Sequence, residues 1–81
     1  MDIRHVFAAN LRRLRHEKGY SQEDLAYEAD INRTYMSALE KGSHYVGLEI
    51  IEKLSKVLAV EPADFLKPAP KPSRRRKVAS A

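Results

Sequence analysis

Two neighbouring residues, Arg33 and Thr34, carry side chains suited to hydrogen bonding with the edges of nucleic-acid bases. An arginine guanidinium can donate two parallel hydrogen bonds to guanine, and a threonine offers a hydroxyl together with a methyl group for thymine. Ser37 and Ala38 follow one helical turn later, so a helix beginning near Arg33 would present all four on one side. These four residues are therefore the candidates for contacting bases.

The segment from Ser21 to Gly42 must position those side chains. Ser21 is a good N-terminal cap for one short helix, and Asn32 is a good cap for the next, which we expect to end at Gly42. Two short helices separated by a break of three residues are typical of a helix-turn-helix, whose second helix places its first residues in the major groove of DNA. Gln22, at the start of the preceding helix, is the candidate for a phosphate contact.

Further helices are predicted on both sides of this segment. Apolar residues at helical spacing form the first of them: Ile3, Phe7, Leu11 and Leu14. A fourth helix is predicted from about Leu48 to Leu58. Pro62 suits the first position of a short fifth helix, in which Phe65 and Leu66 would close the core. The pattern predicts an all-α fold of five short helices with no strand.

The charge of the chain is distributed unevenly between a body and a tail. The 81 residues are enough for one domain and include no cysteine. The net charge of +4 divides into −2 over residues 1–66, with nine Lys/Arg against eleven Asp/Glu, and +6 over residues 67–81, with six Lys/Arg and no acid. We predict a DNA-binding domain at 1–66 and a disordered Pro/Arg/Lys-rich tail at 67–81. The tail could contact DNA or simply aid solubility.

Other functions are disfavoured by what the sequence contains. His5, His16 and His44 lie at unrelated spacings, which does not suggest a metal site. We find no nucleophile with its base and no Gly-rich phosphate loop, so we expect neither an enzyme nor a cofactor. No secretion signal and no apolar run long enough for a membrane span is evident, and we expect a cytoplasmic protein.

Four motifs together resemble the phage repressor and Cro-like family, also called the XRE family. They are Ser21-Gln22-Glu23-Asp24-Leu25-Ala26, then Ile31-Asn32-Arg33-Thr34-Tyr35-Met36-Ser37, Leu39-Glu40-Lys41-Gly42, and Leu58-Ala59-Val60-Glu61-Pro62-Ala63-Asp64-Phe65-Leu66. The resemblance spans roughly residues 5–66. It implies a five-helix lambda-repressor-like domain that binds double-stranded DNA, with Asp30 in the left-handed turn position where glycine is common.

The resemblance also implies roles for individual residues. The family positions that face DNA match Gln22, Arg33, Thr34 and Ala38. Those that approach phosphates match Lys41, Ser43, His44 and Tyr45. Tyr35 is open to two interpretations, because its ring could pack on the preceding helix or its hydroxyl could reach a phosphate. Arg15 and Glu40 are expected to form a structural ion pair, which would also orient Arg15 towards a phosphate.

Within this family, the sequence is most similar to the controller proteins of restriction–modification systems, which are small dimers. We therefore expect a homodimeric transcriptional regulator that recognises a palindromic operator and has no small-molecule effector. Apolar residues of the last two predicted helices could supply part of the dimer interface: Leu48, Ile50, Val57, Val60 and Phe65. The alternative is an antitoxin-like or accessory module that mainly binds a protein partner.

Overall fold

A computed structural model describes residues 2–68 of the chain. This part contains four α-helices and no strand: α1 (Ile3–Glu17), α2 (Gln22–Glu28), α3 (Arg33–Lys41) and α4 (Leu48–Leu58). A 3-10 helix follows at Pro62–Phe65. The all-helical prediction is confirmed. The predicted tail lies outside the described residues from Ala69 onward.

The segment predicted as a fifth helix forms only this 3-10 turn. Pro62 stands at its beginning, and the main-chain N–H of Glu61 donates to the Asp64 carboxylate at 3.1 Å. Pro68 disfavours helical backbone at Lys67, so the helix that Pro62 begins cannot continue past Leu66.

Local capping explains where the central helices begin and end. The Ser21 hydroxyl accepts a hydrogen bond from the Asp24 N–H at 3.0 Å. Between α2 and α3, Asp30 adopts the left-handed conformation, with φ of 57°, as the resemblance implied. The Asn32 carboxamide oxygen then accepts from Thr34 N–H at 2.8 Å, and α3 ends where Gly42 takes a φ of 76°. The predicted caps are therefore confirmed.

One hydrophobic core lies between the helices. α1 packs against α3 and the 3-10 helix, whereas α2 contacts α3 and α4. The predicted inward residues are buried, including Leu25, Met36 and Leu54. Leu66, expected to close the core together with Phe65, is 43% exposed instead, and Ile3 at the start of the apolar stripe of α1 is 45% exposed. They stand at the two ends of the described chain, where no further element covers them.

A buried asparagine fastens the C-terminal turn to α1. Asn10 is completely buried, and its Nδ2 donates to the main-chain oxygens of Phe65 at 2.8 Å and Lys67 at 2.6 Å. Its carboxamide oxygen accepts from Arg13 at 3.1 Å. Because a buried polar group is costly unless it is paired, these bonds fix how the chain leaves the domain. We call this arrangement the Asn10 clasp.

Candidate nucleic-acid interface

The exposed side of α3 contributes to a shallow surface concavity of about 360 Å³. Arg33 and Thr34 are exposed at the first turn of α3, while Ser37 and Ala38 are half-buried one turn later. We call this surface the polar concavity, and it is lined by Gln22, Arg33, Thr34, Ser37, Ala38, Lys41 and Ser43. All seven belong to the set that sequence reasoning selected, so the fold brings most of the predicted site together.

Helical geometry accounts for this arrangement. Residues three and four apart share one face of an α-helix, so 33, 34, 37, 38 and 41 form a single stripe along α3. The opposite face of α3 carries Met36 and Leu39, both fully buried in the core. The core therefore fixes the rotation of α3 about its axis and with it the direction in which the stripe points.

The loop that follows α3 divides the remaining predicted residues between two surfaces. Lys41 and Ser43 line the polar concavity, whereas His44 and Tyr45 line a different surface on the other side of the loop. The His44 ring meets the Tyr35 ring edge-on, with centroids 6.2 Å apart. The Tyr35 hydroxyl donates to the main-chain oxygen of Tyr45 at 3.4 Å. This hydrogen bond and packing hold the loop against α3.

The second surface is an apolar groove of about 180 Å³ between the start of α1, the loop and α4. We call it the apolar groove, and its lining is Ile3, Arg4, Phe7, His44, Tyr45, Val46, Leu48, Ile51 and Leu66. Among the large hydrophobic residues of this lining, Leu48 is the most exposed, at 83%. Of the apolar side chains considered for a dimer interface, Phe65 is excluded because it is fully buried, with its ring centroid 5.4 Å from that of Phe7.

Charge at the rim of this groove is organised by Arg4. Its guanidinium lies 4.7 Å from the centre of the Tyr45 ring and donates to Asp2 at 2.8 Å. The pKa of Asp2 is lowered to about 2, because the Arg4 side chain and then the Arg4 main-chain N–H donate to its carboxylate. The same hydrogen bond to Asp2 raises the pKa of Arg4. Both groups therefore remain charged at neutral pH.

Beneath the polar concavity, Glu40 is at the centre of a polar network. Arg15 Nε donates to Glu40 Oε2 at 2.6 Å and Arg15 Nη2 to Oε1 at 3.0 Å, while Arg15 Nη1 donates to the main-chain oxygen of Tyr20 at 3.0 Å. The Arg15 side chain is 11% exposed and that of Glu40 is 3% exposed. Each of the three guanidinium nitrogens of Arg15 therefore donates a hydrogen bond within the protein.

Two contacts of this network escaped sequence reasoning. Gln22 Nε2 donates to Glu40 Oε1 at 3.1 Å, and Arg12 donates to the main-chain oxygen of Glu40. The sequence gives one weak indication of the Arg12 contact, because Arg12 lies one turn before Arg15 on α1 and so shares a face with it. No sequence signal pairs Gln22 with Glu40, since their contact depends on the angle between α2 and α3.

The described part of the chain shows neither a metal cluster nor a membrane helix. Within residues 2–68, no three His, Asp or Glu side chains are grouped to hold a metal ion. In the same range, no helix is both long and apolar enough to cross a bilayer.

Two short helices joined by a tight turn, with the polar stripe of the second facing outward, define a helix-turn-helix DNA-binding domain. The chain belongs to the helix-turn-helix domain family, whose model matches residues 6–66. The family resemblance drawn from the motifs is thereby confirmed.

Similar proteins include controllers of restriction–modification systems. The control protein C.BamHI of Bacillus amyloliquefaciens is 47% identical over 66 residues, covering 80% of this chain and 82% of that protein. The crystal structure of the restriction-modification controller protein C.AhdI from Aeromonas hydrophila matches with a TM-score of 0.74 and 39% identity, covering 76% of this chain and 94% of that one. The hypothetical transcription factor NHTF from Neisseria has a TM-score of 0.79 and 40% identity, covering 95% and 85%. This chain is accordingly a DNA-binding transcriptional regulator.

Proposed function

We propose that the protein is a homodimeric operator-binding regulator of the restriction–modification controller type, acting by DNA recognition rather than by catalysis. The observation that carries the proposal is the polar concavity, in which the four candidate base-contacting side chains share one surface with Gln22, Lys41 and Ser43. The polar concavity is open to solvent, and a surface that binds a DNA duplex has to be open in this way.

The proposed base contacts come from the stripe of α3. Arg33 bonds guanine bidentately, and Thr34 contacts a thymine or an adjacent base edge through its hydroxyl and methyl groups. Ser37 and Ala38, half-buried one turn further on, allow the helix to approach the bases closely. We assign sequence reading to these four residues.

The proposed phosphate contacts flank that stripe. Gln22 lies on one side of it, and Lys41 and Ser43 lie at the C-terminal end of α3. Arg15 is left out of this set because its guanidinium is already bonded to Glu40 and Tyr20. His44, Tyr45 and the Tyr35 hydroxyl are left out because they pack with one another or line the apolar groove.

Dimerisation follows from how little DNA one recognition helix covers. Useful specificity needs two half-sites about one helical turn apart, read by two copies related by a two-fold axis. The apolar groove supports this part of the proposal, because Ile3, Leu48 and Leu66 leave apolar surface exposed beside it. The operator is then expected to be palindromic.

The experiment that tests the proposal is a selection of bound sequences from random duplex DNA at about 150 mM salt, where purely electrostatic binding is weak. The wild-type protein should enrich a palindrome containing a guanine in each half-site. Arg33→Ala should lose about 1–3 kcal/mol of binding free energy on that sequence and relax the preference at the guanine. An equal loss on unrelated DNA would contradict the base-reading role of Arg33.

A further inference from the structure

Glu40 is buried at the C-terminal end of α3, yet its carboxylate faces the side chains of two other helices. Oε2 accepts from Arg15 on α1, and Oε1 accepts from both Arg15 and Gln22. One carboxylate therefore joins α1, α2 and α3 at a point next to the polar concavity. A buried ion pair satisfied in this way requires only Arg15 and Glu40, so the contact with Gln22 is additional to it.

The contact with Glu40 fixes the orientation of the Gln22 carboxamide. A glutamine amide nitrogen carries two hydrogens. One points to Glu40 Oε1 at an Nε2 to Oε1 distance of 3.1 Å, which leaves the other hydrogen available on a side chain that lines the polar concavity. A free glutamine loses rotamer freedom when it binds a ligand, whereas a side chain already held in place loses less.

We propose that Glu40 is a positioning residue for DNA binding that acts through Gln22. It holds the Gln22 carboxamide so that its second N–H meets a backbone phosphate of the duplex already oriented. This inference rests on the proposed function, because it assigns Gln22 the phosphate contact described there. It adds that a buried acidic residue, which does not touch DNA, strengthens DNA binding.

The proposal predicts an effect opposite in sign to that of charge alone. Removing a carboxylate from a DNA-binding protein reduces repulsion of the phosphates and ordinarily strengthens binding. If Glu40 positions Gln22, the substitution Glu40→Gln weakens binding instead. Glu17→Gln is the matched control, because it removes the same charge from an exposed residue of α1 whose carboxylate pairs with Arg13 at 3.4 Å.

A double-mutant cycle on duplex binding separates positioning from a general structural role. We expect Glu40→Gln and Gln22→Ala each to raise Kd about tenfold, the scale of one hydrogen bond to a charged group. The doubly substituted protein should also be about tenfold weaker than wild type, because Glu40 has nothing to position once Gln22 is gone. Glu17→Gln should bind as well as wild type or slightly better.

Two results would overturn the proposal. One is a Glu40→Gln protein that binds as well as Glu17→Gln. The other is an additive cycle, with the double substitution about a hundredfold weaker, since Glu40 would then act independently of Gln22.

A second variant covers the case in which Glu40→Gln fails to fold because Arg15 loses its partner. Gln22→Asn leaves the Arg15–Glu40 pair intact and retains an amide, but it is one methylene too short to span the contact with Glu40. We expect a loss similar to that of Gln22→Ala, with the midpoint of thermal unfolding unchanged. Unchanged DNA affinity in Gln22→Asn would refute the proposal.

The failure of this inference can be distinguished from failure of the proposed function. The cycle can be measured on any duplex at about 50 mM salt, because a phosphate contact does not depend on base sequence. A wild-type protein that enriches no sequence would refute operator recognition, but the result of the double-mutant cycle would still be valid. A wild-type protein that enriches a palindrome but gives an additive cycle would refute the role of Glu40 alone.

Discussion

The polar concavity and the apolar groove lie on opposite sides of one loop but have contrasting chemistry. In the concavity, hydroxyl, amide and cationic side chains surround the exposed stripe of α3. In the groove, the lining is mainly aliphatic and aromatic, with Arg4 and His44 as the basic side chains. The loop contributes Ser43 to the first surface and Tyr45 to the second. On the proposed function, a domain of this size separates DNA binding from burial of apolar surface within a few residues.

The two surfaces also differ in what supports them from below. Under the concavity, side chains of Arg15, Gln22 and Glu40 bond to one another across three helices. Beside the groove, the Asn10 clasp bonds to main-chain oxygens of the C-terminal turn. The first support sets the orientation of the Gln22 side chain, whereas the second fixes the path of the backbone that bears Phe65 and Leu66. Damage to each support should consequently appear in different measurements.

The largest effect should come from placing a charge at the groove. Leu48→Glu should prevent dimerisation, because burying an unpaired carboxylate in an apolar interface is costly. Operator affinity should then fall by about 100-fold, since two half-sites are no longer bound together. Sedimentation equilibrium and operator titration would measure the two effects.

Tyr27→Glu is the matched control for the oligomeric state. Tyr27 is 82% exposed, as Leu48 is 83% exposed, but it lies on α2 and lines neither surface. It should leave the protein dimeric. A Leu48→Glu protein that is still a dimer at the same concentration would exclude the groove as the interface.

A smaller effect is expected from the Asn10 clasp. Asn10→Ala should lower the free energy of unfolding by about 2 kcal/mol, because two main-chain oxygens lose their donor. Base preference in the selection should not change, since the clasp is on the far side of α1 from the Arg12 and Arg15 contacts to α3. Urea unfolding would measure the loss.

Asn32→Ala provides the comparison on the other surface. Its carboxamide caps α3, so its loss should cost about 1 kcal/mol of stability and weaken DNA binding as well. If Asn10→Ala altered base preference as much as Asn32→Ala, the two supports would not be separable.

The smallest of these effects should come from Lys41. Lys41→Ala should weaken binding to all duplexes alike, by about 1 kcal/mol, and reduce the slope of log K against log salt by about 0.9. Lys56→Ala, on α4 and outside both surfaces, removes the same charge and serves as the control. An unchanged slope in Lys41→Ala would argue against its phosphate contact.

Features set by local sequence were predictable in this fold. Ser21, Asn32 and Gly42 determine helix ends through bonds to their own neighbours or through φ, so residue type alone reveals them. The stripe of α3 follows from helical periodicity once Asn32 marks its start. Ala59 could not be predicted in this way. It ends α4 in the left-handed conformation, with φ of 57°, although alanine is not a residue type that indicates this conformation.

Contacts between distant segments could not be predicted in the same way. The bonds from Asn10 to Phe65 and Lys67 join residues more than fifty positions apart. No periodicity in the sequence indicates that Ser43 lines the polar concavity and Tyr45 the apolar groove. The position of Tyr45 is set by its contacts with Tyr35 and Arg4. The resemblance placed the loop near phosphates but did not say which of its residues line the polar concavity and which line the apolar groove.

The C-terminal end of α3 is held more firmly than its beginning. α1 contacts it through Arg12 and Arg15 at Glu40, and a Cβ atom at Gly42 would come within 3.3 Å of the His5 ring. Arg33 and Thr34, by contrast, are exposed and outside the core. The residues proposed to read DNA can therefore be exchanged without repacking the domain, and on the proposed function new operator preferences would arise by substitution on an unchanged scaffold.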